Sequence, residues 1–274
     1  MIKQWILRCI PTVWAGRLRA WRIRRLIRNF PTRVVEHCYG GDRLKVFLAD
    51  PCSQAWYDCD WPDLPEIGEL QRSRLQSGAR VFDVGAHQGV VAAMLARAVG
   101  PSGKVVAVEG NLHNCRVAAK NRELNGLFQI EVVQAAVTDK PGTVIFDAGL
   151  NGRIDDGSGR GERLSVEAIT IDGLADRLGL PDVVFLDIEG AESLALAGAS
   201  RVLESGADFF VEVHVGCGLE SLGGSVVDVL SYFPEHRYSL MVRAEGDASF
   251  RPLQGNASLT EDRFFLLATR PACA

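Results

Sequence analysis

Val81-Phe82-Asp83-Val84-Gly85-Ala86-His87-Gln88-Gly89 is the stretch that decides the fold of this 274-residue chain. Asp83 closes a short apolar strand, and Gly85 and Gly89 open an apolar helical run from Val90 to Val99. A strand, a glycine turn and a helix N-terminus form a site for the anionic end of a nucleotide-like ligand. The glycines admit the ligand to the backbone, and the free N–H groups of the first helical turn attract its negative group. The next strand, Lys104 to Val108, ends in Glu109, 26 residues after Asp83. A carboxylate there can accept hydrogen bonds from both hydroxyls of a ribose. Nicotinamide dinucleotide folds carry G-x-G-x-x-G. Here an acidic residue precedes G-x-x-x-G, with no second glycine at the pyrophosphate position. That spacing suits a ligand without a pyrophosphate. S-adenosylmethionine, with its carboxylate, ribose and adenine, fits it best.

Outward from this motif, strands and helices alternate. The spacing predicts strand 80–84, helix 89–99, strand 104–109, helix 111–125 and strand 129–134. An irregular insertion at 141–170 follows, with five glycines between 147 and 163 reading as a mobile loop. A helix at 171–178 then leads to strand 182–187, helix 190–204, strand 207–214, helix 222–232 and strands 237–243 and 262–269. Such alternation gives an α/β fold: a seven-stranded, mostly parallel sheet with helices on both faces. The last two strands lack a helix between them and close the sheet as a C-terminal antiparallel hairpin. Residues 80–274 form this domain. Residues 36–79 form a small module of a strand at 46–48, an aromatic, proline-containing loop at 50–63 and a helix at 64–76. Residues 1–35 are a basic amphipathic segment in which Pro11 ends any earlier helix and Thr12 caps one running to about Asn29.

Composition bounds the function. The chain is 47% apolar and 23% charged, as soluble globular proteins are. Its net charge of −4 conceals nine basic and no acidic residues in 1–35, leaving 21 basic against 34 acidic residues beyond. An acidic body argues against a nucleic-acid substrate, because polyphosphate binding is driven by cationic contacts. Seven scattered cysteines without a C-x-x-C pair fit reduced thiols in a cytoplasmic protein rather than a disulfide framework or zinc site. No apolar run reaches the roughly 18 residues of a membrane span. Arg8 and Pro11 interrupt the one candidate core of a secretory signal. Tryptophan, leucine and isoleucine interleaved with arginine in 1–35 suit peripheral contact with an anionic membrane or a protein partner. Packing on the protein's own acidic body is the alternative.

In open α/β sheets, ligands bind beyond the carboxyl ends of the strands. Those ends carry Asp83, Glu109, the Gln134-Ala135-Ala136 segment, Asp187-Ile188-Glu189-Gly190, and Glu212 with His214. One such carboxylate is an ordinary helix cap; several at successive strand ends read as a site.

The segments Phe82 to Gly89, Val106-Ala107-Val108-Glu109-Gly110-Asn111, Phe185-Leu186-Asp187-Ile188-Glu189-Gly190-Ala191-Glu192 and Val211-Glu212-Val213-His214 resemble the FkbM family of S-adenosylmethionine-dependent methyltransferases, within the Rossmann-like class I fold. The resemblance covers about Leu64 to Thr269, and the Asp-x-Glu-Gly-Ala-Glu segment is its most specific part. It implies O-methylation of a hydroxyl on a sugar, polyketide or similar metabolite. The candidate cofactor set is Asp83, Gly85, Ala86, His87, Gly89, Glu109, Gly110, Asn111, Ala136 and Asp187. Three positions depart from the family pattern: His87 for Asn, Gly110 for Pro and Phe185 for Lys.

Methyl transfer is an in-line displacement from a positive sulfonium. The leaving group departs neutral, so the reaction needs positioning and a base, the base adding roughly 10²–10⁴-fold. His214 is the candidate base, on the same strand face as Glu212; its alternative is a bond to a backbone carbonyl. Asp187 either contacts the sulfonium side or holds the acceptor hydroxyl. Glu189 is the third catalytic candidate, and Glu192 reads as a helix cap. Magnesium is compatible with Asp187, Glu189, Glu212 and His214, but spacing does not favour it and no metal ligand is assigned. Asp-Ile-Glu-Gly lacks the Asn/Asp-Pro-Pro-aromatic run of N-methyltransferases. A catalytically silent cofactor-binding module, tethered through 1–35, is the alternative to an enzyme. The acceptor pocket is expected around Trp56, Tyr57 and Trp61 and the glycine-rich insertion.

Overall fold

Residues 81–82, 105–108 and 183–186 are buried, as strands covered on both faces must be. A computed structural model describes residues 12–147, 149–157, 162–253 and 263–270. In chain order, α1 (Thr12–Asn29) precedes a hairpin of β1 (Arg33–Tyr39) and β2 (Asp42–Leu48), then α2 (Pro51–Tyr57) and α3 (Pro65–Gln71). The central run is β3 (Arg80–Val84), α4 (Val90–Val99), β4 (Lys104–Glu109), α5 (Leu112–Leu124) and β5 (Ile130–Gln134). Next come β6 (Ala136–Val137), β7 (Gly142–Asp147), β8 (Arg153–Ile154), β9 (Arg163–Ile169), α6 (Ile171–Leu178) and β10 (Val183–Leu186). The chain continues through α7 (Glu192–Ala197), α8 (Ser200–Ser205), β11 (Asp208–Val213), α9 (Val226–Ser231), β12 (Ser239–Ala244), β13 (Arg251–Pro252) and β14 (Phe264–Thr269).

The fold is α/β with mixed sheets. The main sheet has the order β13-β12-β14-β11-β10-β3-β4-β5. Its members from β5 to β11 are parallel, and β14 runs antiparallel to both β11 and β12. One face packs α6 to α9 through Leu174, Ala195, Val202 and Val229; the other packs α3, α4 and β2 through Leu70, Ala92 and Val46. Adjacent residues serve opposite faces, as with Val81 and Phe82.

Four expectations are corrected. The main sheet has eight strands, not seven, because the turn after Ala244 returns Arg251–Pro252 to pair with Met241 and Val242. The insertion is not irregular: β7 and β9 pair antiparallel from Gly142↔Ala168 to Asp147↔Arg163, and with β6 and β8 they form a second, four-stranded sheet. Phe146, Val166 and Ala136 give it a small core. Residues 148 and 158–161 of the expected mobile loop lie outside the described residues. The helix expected at 190–204 is two helices, broken where Gly198 approaches Thr138 so closely that a Cβ would stand 2.5 Å from the Thr138 carbonyl oxygen. A boundary between residues 35 and 36 falls inside β1, since the module is a hairpin rather than a single strand, and its aromatic loop contains α2.

Polar side chains dock that hairpin. Asn121 Oδ1 accepts from Phe47 N (2.7 Å), and Asn125 both accepts from and donates to the Lys45 backbone. Fully buried Asp50 caps α2 by accepting from Ser53 N (2.8 Å). Its other oxygen accepts from Gln88 Nε2 (2.7 Å) and pairs with His113 Nε2 (2.7 Å). Burial works against this charge, but the bonds from His113, Ser53 and Gln88 hold its carboxyl below the ordinary range. Asp50→Ala removes the cap and strands buried donors, so it should cost about 2–3 kcal/mol in urea unfolding; a change within 0.5 kcal/mol would refute that role.

Candidate functional site

The turn after β3 is built by close backbone approach. Gly85 sits at φ +93°, and a Cβ there would stand 1.6 Å from the Asp187 carbonyl oxygen. The Asp187 N–H donates to Val84 O (2.9 Å), while Gly85 and Ala86 donate to Val108 O. The ends of β3, β4 and β10 are thereby drawn together. Among them opens a cavity of about 250 Å³.

One half of its wall is the glycine turn and its acidic neighbours. Asp83, Gly85, Ala86, His87, Glu109, Gly110 and Ala136 all line it. Glu109 accepts from His87 N (2.9 Å) through one oxygen and from Asn111 N (2.6 Å) through the other. Burial pushes its carboxyl up to about 7 despite those bonds. Asp83 is likewise raised to about 7, by burial and then by the nearby Glu109, and its Oδ2 has no hydrogen-bond partner among the described residues. Gly89 and Asn111 do not line the cavity. Gly89, at φ +76°, brings α4 against Ala118; Asn111 caps α5 by accepting from His113 N (2.9 Å).

His87 adopts φ +46°, unusual for a side chain with a Cβ. Its ring is clamped: Nε2 lies 3.3 Å from the Leu150 carbonyl and Nδ1 2.8 Å from Tyr57 Oη. A carbonyl only accepts, so Nε2 carries the ring proton and donates to it, while Nδ1 accepts a hydrogen bond from the Tyr57 hydroxyl. Burial pushes the imidazole down to about 4, which keeps it neutral. The ring joins Trp56 and Tyr57 in an aromatic cluster, and both line the cavity with Trp61, where the acceptor pocket was expected.

The other half of the wall is acidic. Asp187, Glu189 and Glu212 line the cavity. His214 does not. It is 2% exposed and stands behind them, its Nε2 3.7 Å from Asp187 Oδ1, 3.6 Å from Glu189 Oε2 and 3.5 Å from Glu212 Oε1. Its Nδ1 pairs with Glu192 Oε1 at 2.8 Å, which also accepts from Gly190 N. Burial disfavours the imidazolium, yet the Glu192 bond and the surrounding carboxylates raise the ring to about 9. A histidine so placed, protonated at neutral pH, is not a free base in contact with an acceptor. The expected role of His214 is corrected accordingly: three carboxylates lie between it and the cavity. Glu192, expected as a helix cap, instead holds that ring: the helix's N-cap is Ala191, with no side-chain cap bond. Burial, then Glu212, raises Asp187 well above the usual carboxylate range; burial also raises Glu212.

Sequence reading missed two contributors. Arg263 Nη1 pairs with Glu212 Oε1 at 2.8 Å, and Asn151 Nδ2 donates to Glu189 Oε1 at 2.7 Å. Asn151 lies in the turn between β7 and β8 of the insertion, whose strands close that side of the cavity through Phe146 and Ile154. No spacing signal marks either residue.

The model of the FkbM methyltransferase domain matches residues 83–240 of this chain. No curated protein matches it. Among solved structures, an FkbM methyltransferase from Methylobacillus flagellatus is 18% identical, with a TM-score of 0.46 over 69% of this chain and 43% of its own. This chain thus spans less than half the length of that relative. An S-adenosylmethionine-dependent O-methyltransferase from Thermotoga maritima is 14% identical, with a TM-score of 0.42 over 92% of this chain and 82% of its own. A putative rRNA methylase from Clostridium thermocellum is 12% identical, with a TM-score of 0.46 over 76% and 94%.

Asp83 carries a pH prediction. A carboxyl raised on folding destabilises the protein as pH climbs from its unfolded value near 4 through about 7. Asp83→Asn should therefore melt several degrees above the parent at pH 8, with each 1 kcal/mol moving Tm by about 2–4 °C. That advantage should shrink toward pH 4. Equal differences at both pH values would contradict the burial argument.

Proposed function

The chain belongs to the FkbM methyltransferase family, and from that premise we propose that it is an S-adenosylmethionine-dependent O-methyltransferase. The acceptor is a hydroxyl on a sugar, polyketide or other small metabolite. The observation that carries this reading is the joining, in one cavity, of a glycine-turn half and a carboxylate half. The parallel run from β5 to β11 supports a Rossmann-like class I sheet.

The residues present fit the cofactor. Gly85 lets the Asp187 backbone close against the turn and shape the cavity's floor, and Asp83 presents to a donor a buried oxygen that has no partner among the described residues. Gly110 lets the Phe146 ring pack against the wall, where a Cβ would stand 2.7 Å from it. When bound, S-adenosylmethionine supplies an electrophilic methyl group on a positive sulfonium. Asp83 and Glu109 would hold its hydroxyl and ammonium donors. Asp187, Glu189 and Glu212 face the acceptor. A carboxylate raised by burial is a stronger proton acceptor than one in water. Glu192 and His214 fix the positions of those three from behind. Trp56, Tyr57 and Trp61 form an apolar wall on which a ring-shaped acceptor can stack.

The test is titration of purified protein with S-adenosylmethionine, followed by labelled-methyl transfer across a panel of hydroxylated metabolites. Asp187→Asn and Glu189→Gln should keep cofactor affinity within a few fold and lose about 10²-fold or more in turnover. Unchanged turnover in both removes the catalytic assignment. Cofactor binding with no acceptor turned over favours the silent module. Retention of nicotinamide dinucleotide instead would overturn the reading.

A peripheral position on an anionic membrane is also proposed, for a cytoplasmic protein. On α1, Trp21 and Leu26 are about half exposed beside Arg22, Arg25 and Arg28. No helix among the described residues is long and apolar enough to cross a membrane. Arg24 pairs with Glu162 at 3.0 Å, a contact that favours self-packing instead. The five described cysteines are free thiols, which supports a reducing setting. Removing residues 1–29 should abolish sedimentation with vesicles rich in anionic lipid at 0.1 M salt; undiminished sedimentation would refute the membrane contact.

A further inference from the structure

His214 is 98% buried, and its Nε2 has no hydrogen-bond partner among the described residues although it points at three carboxylates. We propose that Nε2 of His214, Asp187 and Glu212 bind a divalent metal ion at the acceptor side of the cavity, with Glu189 at its rim.

Distances separate this arrangement from an ordinary ion-pair cluster. Separations of 3.5–3.7 Å from Nε2 to the three carboxylate oxygens exceed a normal hydrogen bond. They approach the edge of a tetrahedron whose metal bonds are about 2.0–2.1 Å, an edge of about 3.3–3.4 Å. The ligand atoms of Asp187, Glu212 and His214 all lie within 4.8 Å of one another, so small side-chain movements complete the cage.

The opposite side of the ring points the same way. Metal-bound histidines almost always donate their second ring N–H to a carboxylate or carbonyl, which fixes the tautomer and aims the ring. Glu192 Oε1 stands 2.8 Å from Nδ1, and Glu192 is itself held by Gly190 N. With Nδ1 donating to Glu192, binding of the ion displaces the Nε2 proton, and the neutral ring presents its lone pair on the side of the three carboxylates. Asp187 and Glu189 keep partly exposed side chains on the cavity, which leaves an open coordination position there. Charge favours occupancy as well. Asp187, Glu189, Glu192 and Glu212 converge, and Arg263 and His214 are the cations paired with them. One imidazole with carboxylate oxygens suits zinc or manganese better than magnesium.

The ion's role rests on the methyltransferase reading. There it holds and acidifies the acceptor hydroxyl. The proton passes to Glu189, the oxygen bonds the methyl carbon, and the carbon–sulfur bond breaks to leave a neutral thioether. Metal binding itself is independent of that reading.

The experiment uses the full chain, freed of metal by a chelator and titrated separately with zinc and manganese chloride by calorimetry. One ion per chain is expected at micromolar affinity or tighter. His214→Ala and Glu212→Gln should each weaken binding at least 10²-fold, and Glu192→Gln about 10- to 100-fold by freeing the ring. His236→Ala, at an exposed histidine, should change nothing. Electron spin-echo spectra of the manganese-loaded parent should carry imidazole nitrogen modulation, a readout independent of how well the variants fold. No binding at 1 mM metal, no nitrogen modulation, or equal affinity in folded His214→Ala would overturn the proposal. S-adenosylhomocysteine is titrated into the same metal-free samples. Its binding without any metal binding sinks only the metal site, and metal binding without it sinks only the cofactor reading.

Discussion

The approach of two backbones, at Gly85 and Asp187, is the constraint on which the rest of the site depends. A carbonyl occupies the space where a side chain at residue 85 would start, and the neighbouring Asp187 N–H closes a hydrogen bond to Val84. Parallel strands alone would set β3 and β10 side by side without fixing the turns beyond them. This contact fixes those turns, so Asp83 and Asp187 meet across one cavity rather than in separate loops. A second approach braces the first. Gly190, at φ +106°, lies where a Cβ would stand 2.5 Å from Gly218, and the loop after β11 is pinned over the Asp187 turn. Between them Glu189 is held at φ +55°, a strained geometry for a residue with a Cβ. Such strain persists only where the surroundings over-determine it, and here both flanking contacts do.

What was legible in the sequence follows from the same physics. A parallel strand buried on both faces must be a continuous apolar run, and its end must be polar where it meets solvent or ligand. Val81 to Asp83, Val105 to Glu109 and Val183 to Asp187 obey this, so strand ends could be read as a site. The insertion obeys a different rule. Its strands alternate, with Val144, Phe146 and Val166 inward, and the glycines and charges between β7 and β9 hid that period of two. Expected as irregular, it supplies Phe146, Asn151 and Ile154 to the wall. Glu192 was legible only as an acidic residue in a helix's first turn, where the helix makes no side-chain cap bond; its bond to His214 joins residues 22 apart and arises only when β11 folds beside β10. Arg263 reaches Glu212 because β14 enters the sheet between β11 and β12, a placement that no local pattern encodes.

His87 illustrates a departure from the family pattern that the fold absorbs. An imidazole at a left-handed position costs backbone energy, and burial deprives its charged form of water. Tyr57 and Leu150 satisfy both ring nitrogens of the neutral form, one from the leading module and one from the insertion. The residue therefore ties three parts of the chain at the mouth of the glycine turn.

Both halves of the cavity share an electrostatic design. Asp83 and Glu109 on one side, and Asp187 and Glu212 on the other, are carboxyls whose ionisation is opposed first by burial, with Glu109 adding to Asp83 and Glu212 to Asp187. A pocket built this way binds poorly to anything that adds negative charge. It binds well to whatever brings donors to the first pair and positive charge to the second, since each such contact releases an electrostatic penalty already present in the folded protein. The free energy of recognition thus comes partly from relief of the protein's own strain. A ligand with ribose hydroxyls and a cationic centre would answer both halves at once; a pyrophosphate would oppose both.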